Sequence, residues 1–477
     1  MSQPHIVILG AGPAGAGAAY RLRELDRARV TLVEQKDAVG GNAGSFDANG
    51  QRLDYVSHRL HPTSDPEIRD AVRQLLGDDL LDRPRHGRIH LRGKLIHFPL
   101  KPDDLLLRLD RAFAAGVMRD MVTRRFARNG NGNAAATFAS VLQENLGRTI
   151  CSDFYFPYAR KIWGREPEEL SAIQARRRVS AGSFGKLIKK VLSAVPGLKP
   201  PGAGRFFYPR RGFGQITEAF AEGAQSKGAD VRLNTRVTRL ERAGNSPDAG
   251  WRVTLERNGA SETLEADYVW STLPVSLLAR MVTPAPPQDV VNAAASLSYR
   301  AMLLVYLELD VDRFTEYDAH YFPAADIAIT RLSEPKNYAA LSEPRGRTTL
   351  CAELPCDVGD KYWNMTDEEL GKLVAADLAR AGLPIPDAPR SVHVRRLSHA
   401  YPIYVNGYEK PFSVLDSWAD SMPRLLTYGR QGLFAHDNTH HALFMAYRAV
   451  DCLVDGRWSE QRWADARKIF ESHVVED

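Results

Sequence analysis

The chain has 477 residues, 44% hydrophobic and 25% charged, with a formal net charge of +5. That length predicts two or three domains of roughly 100 to 200 residues each, and the composition is that of a globular protein, not a disordered or fibrous one. The mild charge gives no expectation of nucleic acid as a partner. No apolar run reaches the roughly 18 residues that span a bilayer, and no signal peptide is read before the first strand, so a cytoplasmic protein is expected. Cys151, Cys351, Cys356 and Cys452 show neither a CxxC pair nor zinc spacing and read as reduced, mostly buried thiols.

The chain opens with the apolar run His5-Ile6-Val7-Ile8-Leu9, then Gly10-Ala11-Gly12-Pro13-Ala14-Gly15 and an alanine-rich helical stretch. A second strand, Val30-Thr31-Leu32-Val33, ends at Glu34-Gln35. Each glycine has its own task in a dinucleotide site: Gly10 for the tight turn, Gly12 for close approach to the pyrophosphate, Gly15 for helix-on-strand packing. The helix start then offers amide donors to phosphate, and Glu34 stands where a ribose needs an acceptor. A glycine-rich turn can be purely structural, but the full order of strand, turn, helix, strand and acid predicts dinucleotide binding.

Residues 79–204 read as mainly helical, with apolar helical spacing over Thr137 to Leu146 and over Phe184 to Val195. The second stretch carries Lys186, Lys189 and Lys190, so peripheral membrane contact or a solvated face would explain it. Segments 129–133 and 196–204 are loops rich in glycine or proline. Residues 205–290 resume strand, helix and strand patterns, with a helix from Gln215 to Lys227 and strands at 251–256, 262–266 and from Asp267. A further sheet is expected over 291–424, with strands at 298–308, 327–331 and 347–353, and residues 425–477 end in a helix from about His440 to Val454. Arginines cluster at Arg176-Arg177-Arg178 and Arg210-Arg211. Scattered surface charge is one explanation; guanidinium forks for a small anionic substrate are the other.

A second glycine turn, Val39-Gly40-Gly41-Asn42-Ala43-Gly44, follows Glu34 closely. Here the chain resembles the flavoproteins that include amine oxidases, protoporphyrinogen oxidases and UDP-galactopyranose mutase, and that resemblance implies FAD as cofactor. Longer strings resemble the mutases in particular: Asn42, the histidine loop Ser57-His58-Arg59-Leu60-His61, the Lys161-Ile162-Trp163-Gly164 segment running to Leu170, Ile329-Thr330-Arg331 and Gly429-Arg430. The resemblance spans nearly the whole chain. It implies an α/β fold with a Rossmann-like FAD-binding domain that is discontinuous in sequence (1–78, 205–290 and 425–477) and an inserted α+β substrate domain (79–204 and 291–424). It also implies cofactor contacts from Gly10, Gly12, Pro13, Ala14, Gly15, Glu34, Gln35, Gly41, Asn42, Ala43, His58, Val237, Thr272, Gly429, Arg430, Asn438, Thr439 and His440.

Departures from the mutase pattern are equally specific. After Gly429-Arg430 the mutases carry diphosphate-binding tyrosines, whereas this chain reads Phe434-Ala435-His436-Asp437-Asn438-Thr439-His440-His441. A second mutase arginine aligns with Ala181 unless Arg176 to Arg178 replace it. Two chemistries follow from one flavin. In the mutase-like reading, a sugar nucleotide or related anionic glycosyl substrate is rearranged through reduced flavin N5, with Arg331 stabilising the departing diphosphate. In the oxidoreductase reading, hydride leaves a polar substrate, with His58, His61, His436, His440 or His441 as base. Arg176, Arg177, Trp163 and Tyr404 are candidate substrate contacts, although Trp163 and the tyrosines also suit core packing. No metal is expected, because no further ligand at recognisable spacing completes His436, His440 and His441. The oligomeric state is not legible.

Overall fold

The structure is a computed structural model that describes residues 3–98, 104, 108–124, 136–178 and 204–475. The helix expected over 184–195 lies outside the described residues. The chain divides into two compact units, one of Met1–Leu81, Phe207–Ser298 and Tyr408–Asp477, the other of Asp82–Phe206 and Tyr299–Gly407.

The first unit is built on a five-stranded parallel sheet. Its order is Leu425–Thr427, Tyr268–Ser271, His5–Leu9, Arg29–Val33, Asp230–Arg232. Ile6, Val7, Ile8 and Leu9 have no exposed surface. This is the continuous apolar run of a parallel strand covered on both faces. The helix Pro13–Glu24 starts with proline after Gly12, where a missing N–H costs nothing, and buries Ala14 to Tyr20. Against it packs the helix Thr439–Asp451, so closely that a Cβ on Gly17 would lie 2.8 Å from Leu443. A smaller sheet, from Ala260–Ala266 through Trp251–Arg257 and Arg236–Arg242 to Val282–Thr283, buries Val237, Leu240 and Val253 in one cluster with Val7, Leu9 and Val33.

The second unit carries a seven-stranded sheet in the order Ser391–Pro402, Tyr299–Leu309, Thr348–Cys356, Arg331–Ser333, Ala319–Tyr321, Gly87–Leu91, Lys94–Phe98. The helix Asp367–Arg380, closed at its start by a Thr366–Glu369 capping box, packs Leu370, Val374 and Leu378 against Leu303, Leu332 and Ala352. A second cluster joins Ile89, Ile96 and Tyr321 to the helices Phe138–Leu146 and Phe156–Trp163. Thr137 caps the first of these by accepting from Ser140 N.

One expected strand is much shorter. Of residues 327–331 only Arg331 is in a strand, because side chains take the backbone groups a ladder would need. Asp377 accepts from Ala328 N at 2.7 Å and Ile329 N at 3.1 Å, and Lys161 donates to Ile329 O at 2.8 Å. The region expected to be mainly helical also begins with strand, the hairpin Gly87–Leu91 and Lys94–Phe98.

Candidate functional site

In the first unit two glycine turns lie back to back. Gly10 has φ +92° and donates to Val33 O at 2.8 Å, while a Cβ on Gly15 would meet Gly10 O at 1.9 Å. Only glycine fits either place. Gly12 differs: its φ of −74° suits any residue, and a Cβ there would find only Gly41 Cα at 4.0 Å. Gly40 N donates to Ala11 O at 2.8 Å, which ties the second turn to the first. The 3-10 turn Gly41–Ala43 follows, and Asn42 O lies 3.0 Å from His58 Nε2, whose ring stacks on Phe213.

The helix starting at Pro13 has no side-chain cap and no acid in its first turn. Its leading N–H groups are therefore ready for an anion. Glu34, 8% exposed, accepts from Ala11 N and Lys36 N, each at 3.0 Å and each on a different oxygen, so each oxygen keeps a lone pair. Gln35 beside it is exposed. Thr235 N donates to Glu34 O at 2.9 Å and so brings the strand bearing buried Val237 alongside. Thr272 Oγ1 is 2.8 Å from Leu9 O, and a Cβ on Gly10 would lie 2.6 Å from it. Thr272 thus braces the first turn. Gly429, at φ +78°, touches Ala14 so closely that a Cβ would come within 2.8 Å, and Arg430 follows, its carbonyl accepting from Ala435 N at 2.8 Å. Asn438 caps the helix from Thr439, with Asn438 N donating to His441 Nδ1 at 3.2 Å, while His436 and His440 are buried.

These residues fit a dinucleotide: a cradle that side chains would fill, uncapped helix donors and a buried carboxylate with spare acceptor capacity. His61 is placed differently. Its Nδ1 is 2.6 Å from Thr63 Oγ1 and accepts from Thr63 N, so it closes its own turn. Spacing also could not show that His473 joins Asp437 and His441, with ligand-type atoms all within 4.8 Å. The two imidazoles stack at 4.2 Å and 15°, an arrangement that does not converge their lone pairs on one ion.

In the second unit Arg331 stands opposite Glu353 across an antiparallel pair, with Nε and Nη2 at 2.8 and 2.7 Å from one carboxylate oxygen. Burial opposes the charge on Arg331, yet the Glu353 carboxylate and nearby Tyr321 outweigh it and hold the guanidinium well above its usual range. Nη1 makes no hydrogen bond among the described residues. Lys161, whose pKa burial pushes down to about 7, donates to Phe322 O at 2.5 Å, Ala324 O at 3.1 Å and Ile329 O. It clamps the segment leading to Arg331. Trp163 is 2% exposed, edge-on to Tyr401, and Tyr404 is 2% exposed, so both rings serve the core. Arg176 is exposed and Arg177 half-buried on the helix Ala172–Arg178. Sequence reading passed over Glu353, Lys161 as a clamp, and Gln174; only their neighbours in the fold reveal them.

Residues 14–447 match the family of flavin containing amine oxidoreductases. The chain belongs to this family. It is 26% identical to a phytoene dehydrogenase of Streptomyces griseus over half of this chain and half the length of that relative. It is 23% identical to a coproporphyrinogen III oxidase of Propionibacterium freudenreichii subsp. freudenreichii over 98% of this chain and 92% of that one. A crystal structure of reduced UDP-galactopyranose mutase shares the fold, with TM-score 0.83 and 22% identity over 100% of this chain and 99% of that one. The protein is an FAD-dependent enzyme of α/β architecture with a Rossmann-like cofactor domain. No helix among the described residues is long and apolar enough to cross a membrane.

Proposed function

We propose that this enzyme rearranges a sugar nucleotide or a related anionic glycosyl substrate without net oxidation. When bound, FAD supplies either a nucleophilic reduced ring or an acceptor for hydride. The observation that carries the choice is Arg331. Cleaving a glycosyl bond to a diphosphate builds negative charge on the leaving group, and a fixed guanidinium stabilises that charge better than mobile water does. Arg331 is held by Glu353 through two nitrogens and keeps Nη1 for a ligand. Hydride removal from an uncharged carbon makes no such demand. In the first unit, Gly10, Gly12, Pro13, Ala14, Gly15, Glu34, the turn Gly41–Ala43, Gly429, Arg430 and the helix start at Asn438 and Thr439 would hold the cofactor, with Thr272 bracing the turn.

A second reading, hydride removal from a polar substrate with His58 or His436 as base, draws support from relatives named as a dehydrogenase and an oxidase. The test is incubation of chemically reduced, FAD-loaded enzyme with UDP-sugars under nitrogen, with products separated by chromatography. A ring isomer formed at many turnovers per flavin is the expected result. No isomer from any UDP-sugar, with substrate oxidised instead, would overturn the proposal.

A further inference from the structure

The helix Ala172–Arg178 holds two buried donor groups that no group among the described residues accepts from. Gln174 is fully buried, and its Oε1 accepts from Tyr404 N at 3.1 Å, which fixes the amide with Nε2 on the other side. That Nε2 has no hydrogen-bond partner. Three residues on, Arg177 has both Nε and Nη1 buried, again without a partner. Residues i and i+3 share a helix face, so Gln174 and Arg177 stand on the same side of this helix.

Buried donors are nearly always paired in folded proteins, and a guanidinium cannot escape by losing its proton. No described residue supplies that acceptor, and a ligand group with negative charge would satisfy both donors. We propose that Gln174 and Arg177 form an oxyanion-binding site for a phosphate or carboxylate group of a small-molecule ligand. The helix is firmly placed for this: Ser171 N donates to Tyr404 O at 2.8 Å, and Ala172 and Ala175 pack in the apolar cluster of the second unit. The donors are therefore preorganised, which lowers the entropy lost on binding. Arg176, exposed on the same helix, takes no part. The site deepens the anionic-substrate reading, but its donors require an anion whichever reaction the flavin performs.

The test uses the full FAD-loaded chain and calorimetric titration with UDP, with pyrophosphate and with coproporphyrin III, a tetracarboxylate. Gln174→Glu keeps the acceptor for Tyr404 N and gives Arg177 an internal carboxylate partner. This variant should melt at a higher temperature than wild type yet bind the probe about tenfold to a hundredfold more weakly, the range for hydrogen bonds to charged groups. Arg177→Met should lose affinity similarly at unchanged FAD content, and Arg177→Lys should recover part of it. UDP or pyrophosphate binding in wild type identifies a phosphate site. Binding of coproporphyrin III alone keeps the oxyanion site but contradicts the sugar-nucleotide reading. If Gln174→Glu and Arg177→Met bind every probe as tightly as wild type, or wild type binds none, the site is refuted.

Discussion

Exchanging Gly12 and Gly15 separately for alanine divides what the cofactor demands from what the fold demands. At Gly15 a Cβ would sit 1.9 Å from Gly10 O, far inside the roughly 3.5 Å of ordinary contact, and the atom it meets is backbone. The helix or the turn must move, at a cost of about 1–3 kcal/mol or more. At Gly12 the backbone is already compatible with alanine, and the nearest protein atom would be 4.0 Å away. The Gly12→Ala apoprotein should therefore match or exceed wild-type stability, by up to about 1 kcal/mol, through reduced freedom of the unfolded chain. FAD is another matter: the added methyl projects into the space the two turns leave open. Wild type should gain about 2.7 kcal/mol at a hundredfold excess of FAD over Kd, and Gly12→Ala should gain almost nothing. Thermal melts with and without FAD, together with the visible flavin absorbance of the purified protein, measure both quantities. A Gly12→Ala protein that stays yellow and stabilises with FAD like wild type would refute the reasoning.

Other predictions follow from particular side chains. Glu34→Gln should weaken FAD binding about tenfold or more, since one oxygen becomes a donor facing donors, with the FAD dissociation constant as readout. Arg331→Met should destabilise the protein by about 3–5 kcal/mol by leaving Glu353 buried and unpaired, and adding Glu353→Gln should restore most of that loss in denaturant titrations. Arg331→Lys should instead retain FAD while losing affinity for UDP. Burial pushes His90 down to about 4 and His320 to about 3, where His90 and Arg88 add to the effect. Between pH 6.5 and 4 the unfolded chain binds protons that the folded chain refuses, so stability falls as pH drops through that window. Replacing His320 with asparagine should flatten that acid limb of the stability profile; an unchanged limb would show that other groups cause it.

What could be read from the chain differs between the two units for a physical reason. The cofactor cradle is local: Gly10, Gly12, Gly15 and Glu34 fall within 25 consecutive residues, and each conformational need is met by one residue type. Periodicity likewise located the long strands Tyr299–Leu309 and Thr348–Cys356 and the helix Thr439–Asp451 to within a few residues. The groups that tune the second unit are distant in sequence. Glu353 reaches Arg331 across a strand pair, Lys161 reaches the carbonyls of 322–329, and Gln174 is oriented by Tyr404, 230 residues away. Residues 327–330 were open to misreading because β-type side chains there cover a backbone claimed by Asp377 and Lys161. His61 and Trp163 carry chemistry-bearing side chains whose surroundings, a turn and a core, only the fold discloses.

The most direct measurement of the central claim is the absorbance of the oxidised flavin during anaerobic titration with a UDP-sugar that the reduced enzyme isomerises. Redox-neutral chemistry predicts that the oxidised spectrum persists, apart from small shifts on binding, and that no substrate is consumed until dithionite is added. Stoichiometric bleaching by that substrate, reversed by air, would show that the enzyme takes hydride and would contradict the account.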